Sequence, residues 1–120
     1  MKILVVDDSR AMRSMIRRTL RQAGFGRHTV VEAADGLEAL ELIKDDRPHF
    51  ILADWNMPRM NGLDLVRIIK EAELDIPVGF ITAEHTVDKR KEAHRVGAKF
   101  IVAKPFTVKD FQAILGPYLE

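Results

Sequence analysis

Five short aliphatic or β-branched runs, each separated from the next by a segment of helical period, limit what this chain can become more than any other feature. The runs occupy residues 2–6, 29–33, 49–53, 78–82 and 100–103. Most are apolar without alternation, which is the pattern of strands buried on both faces of a parallel sheet. Between them, Met12, Met15, Ile16 and Leu20 recur on one helical face that stops at Gly24. Asp35-Gly36-Leu37-Glu38 has the form of a capping box, with Leu37, Leu40 and Ile43 expected inside. Asn61 is placed to cap a third helix carrying Leu63, Val66 and Ile69. A more polar fourth helix over residues 87–96 ends at Gly97, and Thr107-Val108-Lys109-Asp110 opens a fifth, with Val108, Phe111, Leu115 and Tyr118 on its face. Strand followed by helix, five times, predicts right-handed βαβ units with helices on both sides of one sheet. The fold class is therefore α/β: a flavodoxin-like, doubly wound, five-stranded parallel sheet with five helices, for which the order 2-1-3-4-5 is taken from folds of that type.

Residues 1–120 are read as one domain, since 120 residues suffice for one core and show no linker or repeat. With no cysteine, disulfides, thiolate metal sites and cysteine nucleophiles are excluded. The longest apolar runs, such as Ile3-Leu4-Val5-Val6, are four residues, far short of the about 18 that a bilayer span needs. A cytoplasmic protein with no membrane partner is expected. Nineteen Lys and Arg against eighteen Asp and Glu give a net charge of +1, too balanced to indicate nucleic acid. A monomer is expected.

Polar residues concentrate where the strands end. Asp7-Asp8 follows the first strand, Asp54 the third, Thr82 closes the fourth and Lys104-Pro105 follows the fifth. Ligands of open α/β sheets bind at that carboxyl edge, at the switch point, here between strands 1 and 3. Each of these residues alone has an ordinary structural explanation, such as a helix cap or a solvated acid; together on one edge they do not. Three converging carboxylates repel one another unless a cation is present. Hard oxygen ligands without His or Cys suit Mg²⁺. Lys104 and the Thr82 hydroxyl are then donors for an anion beside the metal, and the set describes phosphoryl transfer onto an aspartate, which needs no general base.

Competing chemistries find no support. There is no phosphate-binding P-loop, and Gly24-Phe25-Gly26 lacks the third glycine and the preceding strand of a dinucleotide fingerprint. Ser9 and Ser14 lack a nucleophile-elbow context. His28, His49, His85 and His94 have no metal-ligand spacing and are expected at the surface. Arg10, Arg13, Arg17, Arg18 and Arg21 make the first helix basic, read chiefly as a solvated face. Lys89, Arg90, Lys91, His94, Arg95 and Lys99 form a second basic region, with a better claim to dock a partner.

The pieces Val5-Val6-Asp7-Asp8, Asp54-Trp55-Asn56-Met57-Pro58, Met60-Asn61-Gly62, Thr82-Ala83-Glu84 and Lys104-Pro105-Phe106 agree in type, order and spacing with one family. The chain resembles the receiver domain of bacterial two-component response regulators, in particular the single-domain chemotaxis regulators. The resemblance implies that Asp54 is the phosphoacceptor, supplied by a sensor histidine kinase. It implies Mg²⁺ held by Asp8 directly, Asp7 through water, Asp54 and the Asn56 backbone carbonyl. Lys104 would contact the phosphoryl group, and the Thr82 hydroxyl and Ala83 amide would donate to it on activation. Lys104-Pro105 is expected to be cis, and Asn56 and Glu84 to border the open side of the phosphoryl group and leave a path for water.

One position departs. Receivers commonly carry Tyr or Phe three residues before the lysine, where this chain has Ile101. Phe100 is adjacent but points to the opposite face, because side chains alternate along a strand. Coupling is therefore expected to run through the loop after strand 4 and the fourth helix. With no segment beyond the fifth helix in the sequence, the output is expected to be protein–protein contact, with the flagellar motor switch as the natural target, or a phosphorelay or phosphate-sink role. The enzyme-class alternative, a haloacid-dehalogenase-type phosphatase, needs D-x-D after strand 1, where this chain has adjacent acids.

Overall fold

The computed structural model describes residues 1–120. The chain runs β1 (Lys2–Val6), α1 (Arg10–Leu20), β2 (Thr29–Ala33), α2 (Gly36–Asp45), β3 (Phe50–Ala53), α3 (Gly62–Glu71), β4 (Val78–Thr82), α4 (Val87–Val96), β5 (Ile101–Ala103) and α5 (Val108–Leu119). The strands form one parallel sheet, as the alternation of runs and helices predicts, in the order β2-β1-β3-β4-β5 expected of a flavodoxin-like fold. β1, β3 and β4 are buried almost throughout, while the edge strand β2 is only partly covered. This is the burial that continuous apolar runs require of central strands.

Alternation along the strands divides the core in two. Leu4, Val6, Ile51, Ala53 and Phe80 face one layer with α2, α3 and α4; Ile3, Val5, Phe50, Leu52 and Ile81 face the other with α1 and α5. Ile101 joins the first layer and Phe100 the second, where its ring lies 5.9 Å from that of Phe50 and 5.3 Å from that of Tyr118. The opposite facing expected of these two neighbours therefore holds.

Helix ends follow their sequence signals. Ser9, Asp35, Asn61, Thr86 and Thr107 each accept a backbone N–H three residues on, and Thr107–Asp110 forms a complete capping box. α1 continues as one wider turn over Arg21–Phe25, which ends where Gly24 takes φ 98°. α4 closes on Gly97 at φ 100°.

α2 departs from expectation in two respects. Leu37, expected inside, is 40% exposed. Ile43 is buried and Leu40 packs against the core as expected, but the first turn docks through Gly36 and Ala39, with Met60 lying directly against Gly36. Only half of the expected capping box forms: Asp35 caps the Glu38 amide, and its other oxygen is taken by Arg59.

Candidate functional site

The register of the central strands builds the site. Val6 pairs with Ala53, and the ladder continues one residue further, with the Asp7 N–H donating to the Ala33 carbonyl and the Asp54 N–H to the Val6 carbonyl. Asp7 and Asp54 consequently leave adjacent strands side by side, at the strand spacing of about 4.8 Å. Asp8 follows where the chain turns into α1. Carboxylate oxygens of Asp7, Asp8 and Asp54 lie within 4.8 Å of one another. Gly62 makes the close approach behind them possible, since a Cβ there would drive into the Asp54 carbonyl and the Phe80 ring.

Lys104 supplies the charge that lets two of these acids coexist. Its ammonium donates to Asp54 Oδ2 at 2.8 Å and to Asp7 Oδ2 at 3.0 Å. The lysine's own N–H donates to the Thr82 carbonyl, and its bond to Pro105 is cis, as the resemblance implies. Burial pushes the Asp7 carboxyl above its usual value, against the opposing pull of the Ser9 N–H and Lys104. Burial also works to lower the Lys104 pKa, but the hydrogen bonds to Asp54 and Asp7 outweigh it and leave it raised. One cation shared by two carboxylates leaves Asp8 uncompensated. Asp8 is exposed and lines an open depression with Asn56, Met57, Pro58 and Asn61.

These residues fit a hard divalent cation. The donor set is all oxygen, negatively charged beyond what Lys104 neutralises, and open on the Asp8 side, as a metal that keeps part of its water requires.

The remaining expected residues surround this centre. Thr82 is 1% exposed, and its hydroxyl accepts the Glu84 N–H at 3.1 Å rather than reaching toward Asp54. Ala83 follows on the exposed side. The Asn56 side-chain amide donates to Glu84 Oε1 at 3.0 Å, so the two residues expected at the mouth are joined across it. Ile101 is buried beneath α4, away from this polar cluster.

Three contacts have no local sequence signal. Arg59 grips Asp35, twenty-four residues earlier. Arg13 donates to the Asp7 carbonyl at 2.6 Å and to Glu32, which Arg17 also reaches, so two of the α1 arginines read as a solvated face are paired instead. Lys89 of α4 stands 5.1 Å from the centre of the Trp55 ring. In each case the partner is brought close by the sheet, not by the chain's own neighbourhood.

Comparison with known proteins agrees with this geometry. The sequence matches the family described as response regulator receiver domain over residues 3–116. It is 39% identical to the chemotaxis protein CheY-3 of Vibrio cholerae, covering all of this chain and 92% of that protein. It is 41% identical to the chemotaxis protein CheY of Pseudomonas aeruginosa, over 91% of this chain and 88% of the relative. Response regulator MprA of Mycobacterium ulcerans is 40% identical over 93% of this chain, which spans about half of that longer protein, 47%. The solved structure of Vibrio cholerae chemotaxis protein CheY4 superposes with a TM-score of 0.85 at 35% identity, covering 98% of each chain. With the same strand order and a family match over nearly its whole length, this chain belongs to the response regulator receiver domains of two-component signalling.

Proposed function

We propose that residues 1–120 form one receiver domain that works as a phosphorylation-controlled switch, with Asp54 as the phosphoacceptor. The observation that carries the proposal is the shared grip of Lys104 on Asp54 and Asp7 beside an uncompensated Asp8. The phosphodonor is a histidine kinase. An Asp54 carboxylate oxygen attacks phosphorus, a P–O bond forms, the P–N bond of the phosphohistidine breaks, and the leaving imidazole takes up a proton. Lys104 exchanges its bond with Asp54 for one to a phosphoryl oxygen, and the Thr82 hydroxyl and Ala83 N–H become donors to the same group. Mg²⁺, held by Asp7, Asp8, Asp54 and the Asn56 carbonyl, would neutralise charge on the phosphoryl oxygens.

Turning Thr82 toward the phosphoryl group means giving up its bond to the Glu84 N–H, which shifts the loop leading into α4. The output face is accordingly α4, β5 and α5, where Lys89, Arg90, Lys91 and Arg95 favour an acidic protein partner. By its likeness to chemotaxis proteins, that partner is a flagellar motor component, contacted by a cytoplasmic monomer. No helix is long and apolar enough to cross a membrane. Asn56 and Glu84 are joined at the mouth by a single exposed hydrogen bond, which leaves water a path to the phosphorus and makes the signal short-lived.

The test is incubation with acetyl phosphate and Mg²⁺ followed by intact mass. The wild type gains one phosphoryl group; Asp54→Asn gains none. Undiminished labelling of Asp54→Asn overturns the assignment.

A further inference from the structure

Arg59 adopts φ 65°, a left-handed conformation that crowds a non-glycine Cβ against its own backbone. It sits in the loop between β3 and α3, three residues after Asn56. Its Nε and Nη2 both donate to Asp35 Oδ2, at 2.8 and 2.6 Å. Asp35 is a firm anchor: it is 5% exposed, lies two residues beyond the end of β2, and its other oxygen caps α2 through the Glu38 N–H. That N–H, with Arg59 second to it, holds the Asp35 carboxyl below its usual range. Beside the ion pair, Met60 packs on Gly36 so closely that a Cβ there would stand 2.8 Å from the methionine side chain. Two consecutive loop residues, 59 and 60, are thus docked on two consecutive residues, 35 and 36. The near end of the loop is anchored by the Asp54 N–H on β1, and the far end by the Gly62 N–H donating to the Trp55 carbonyl at 2.8 Å. Between these anchors, Asn56, Met57 and Pro58 form the wall of the depression shared with Asp8.

We propose that Arg59 is a positioning residue: its grip on Asp35 holds the β3–α3 loop in the shape that keeps Asn56 beside Asp8 and Asp54, and so sets the affinity of the site for a divalent cation. The inference rests on the reading above that this site binds Mg²⁺. Arg59 touches neither the carboxylate cluster nor Lys104, so its influence is indirect. Its side chain is 58% exposed, and an ion pair of that kind adds little to global stability. Its effect falls on the order of the loop. Groups that orient metal ligands from outside the coordination sphere commonly change affinity by about tenfold or more.

Mg²⁺ titration by calorimetry on wild type, Arg59→Gly and Arg59→Lys tests the idea, with thermal unfolding of each. Glycine accepts the left-handed conformation freely, so Arg59→Gly removes the ion pair without backbone strain. Expected are an about tenfold weaker Mg²⁺ affinity for Arg59→Gly, partial recovery in Arg59→Lys, and thermal midpoints close to wild type. Wild-type affinity in Arg59→Gly overturns the proposal while leaving the metal-site reading intact. A loss that Arg59→Lys does not restore even in part also overturns it, because the charge on Asp35 is then not what matters. Absence of Mg²⁺ binding in the wild type itself overturns the metal-site reading, and this proposal with it.

Discussion

On the β2 side of the carboxylate cluster, both acid-bearing loops are tied down by arginines. Arg13 joins the Asp7 carbonyl to Glu32, and Arg59 joins the loop after β3 to Asp35. On the β4–β5 side, α4 buries a single residue, Ala93, where α3 buries five, and β5 is only three residues long. Apart from Lys104, the ties of this side to the site are Lys89 over the Trp55 ring and the exposed Asn56–Glu84 hydrogen bond. A site with the proposed task of binding a cation and then reporting a phosphoryl group needs both kinds of surroundings. Ligands for a metal work best when ordered beforehand, whereas a report to a partner has to come from an element of low local stability. Under the proposed function, the two halves of this fold divide those tasks along the line between β3 and β4.

The contrast breaks most visibly if Lys104 is removed, because that residue ties the two halves together. Lys104→Ala leaves buried Asp7 beside Asp54 with no cation between them. We expect a loss of about 2–3 kcal/mol at pH 7 without metal, below the range for a fully buried pair because Lys104 keeps 17% side-chain exposure. Added Mg²⁺ should recover much of it. Urea unfolding with and without Mg²⁺ measures both; unchanged stability in the absence of metal would show that Lys104 does not offset the repulsion.

Amide exchange sharpens the comparison without a mutation. The amides of α4 should exchange at least about tenfold faster than those of α3, since one buried alanine holds α4 where five buried residues hold α3. Equal protection in the two helices would remove the distinction between a fixed and a movable half.

The smallest expected effect is a pH dependence on the arginine-tied side. The Glu38 N–H and Arg59 hold the Asp35 carboxyl below its usual range, and Arg17 and Arg13 do the same for Glu32 against the opposing effect of burial. The unfolded chain therefore takes up protons at these groups before the folded one does. Their contribution is complete above about pH 4.5 and is lost as pH falls through the lower folded values. Screening at these partly exposed pairs keeps each to about 1 kcal/mol or less. Asp35→Asn should differ from wild type in unfolding free energy near neutral pH, with the gap closing below about pH 4. A gap that stays constant with pH would mean that Asp35 stabilises as a neutral cap alone. Asp7 has the opposite sign: its raised value makes its ionised form a cost that acid relieves.

Much of this could be read from the chain before any coordinates. Continuous apolar runs such as Phe50-Ile51-Leu52-Ala53 specify buried parallel strands, and the helix caps at Asn61 and Thr107 depend only on residues three positions away. The convergence of Asp7, Asp8, Asp54 and Lys104 follows once the strand order is given, since each lies at a strand's carboxyl end. Leu37 shows where local pattern stops being sufficient. Its spacing to Leu40 and Ile43 suits a buried face and those two do pack inward, yet Leu37 stays exposed while Gly36 beside it meets Met60, twenty-four residues away. Arg59, Arg13 and Lys89 show the same limit for the site. Nothing in the neighbourhood of each names Asp35, Glu32 or Trp55 as its partner, because ion pairs and cation–π contacts act between surfaces that only the packed sheet brings together. Periodicity and caps are properties of a few consecutive residues, so the sequence by itself determined the elements, their order and the acids at their ends. Which loops are tied by side-chain contacts and which carry few was decided by contacts across the sheet, and those exist only in the tertiary structure.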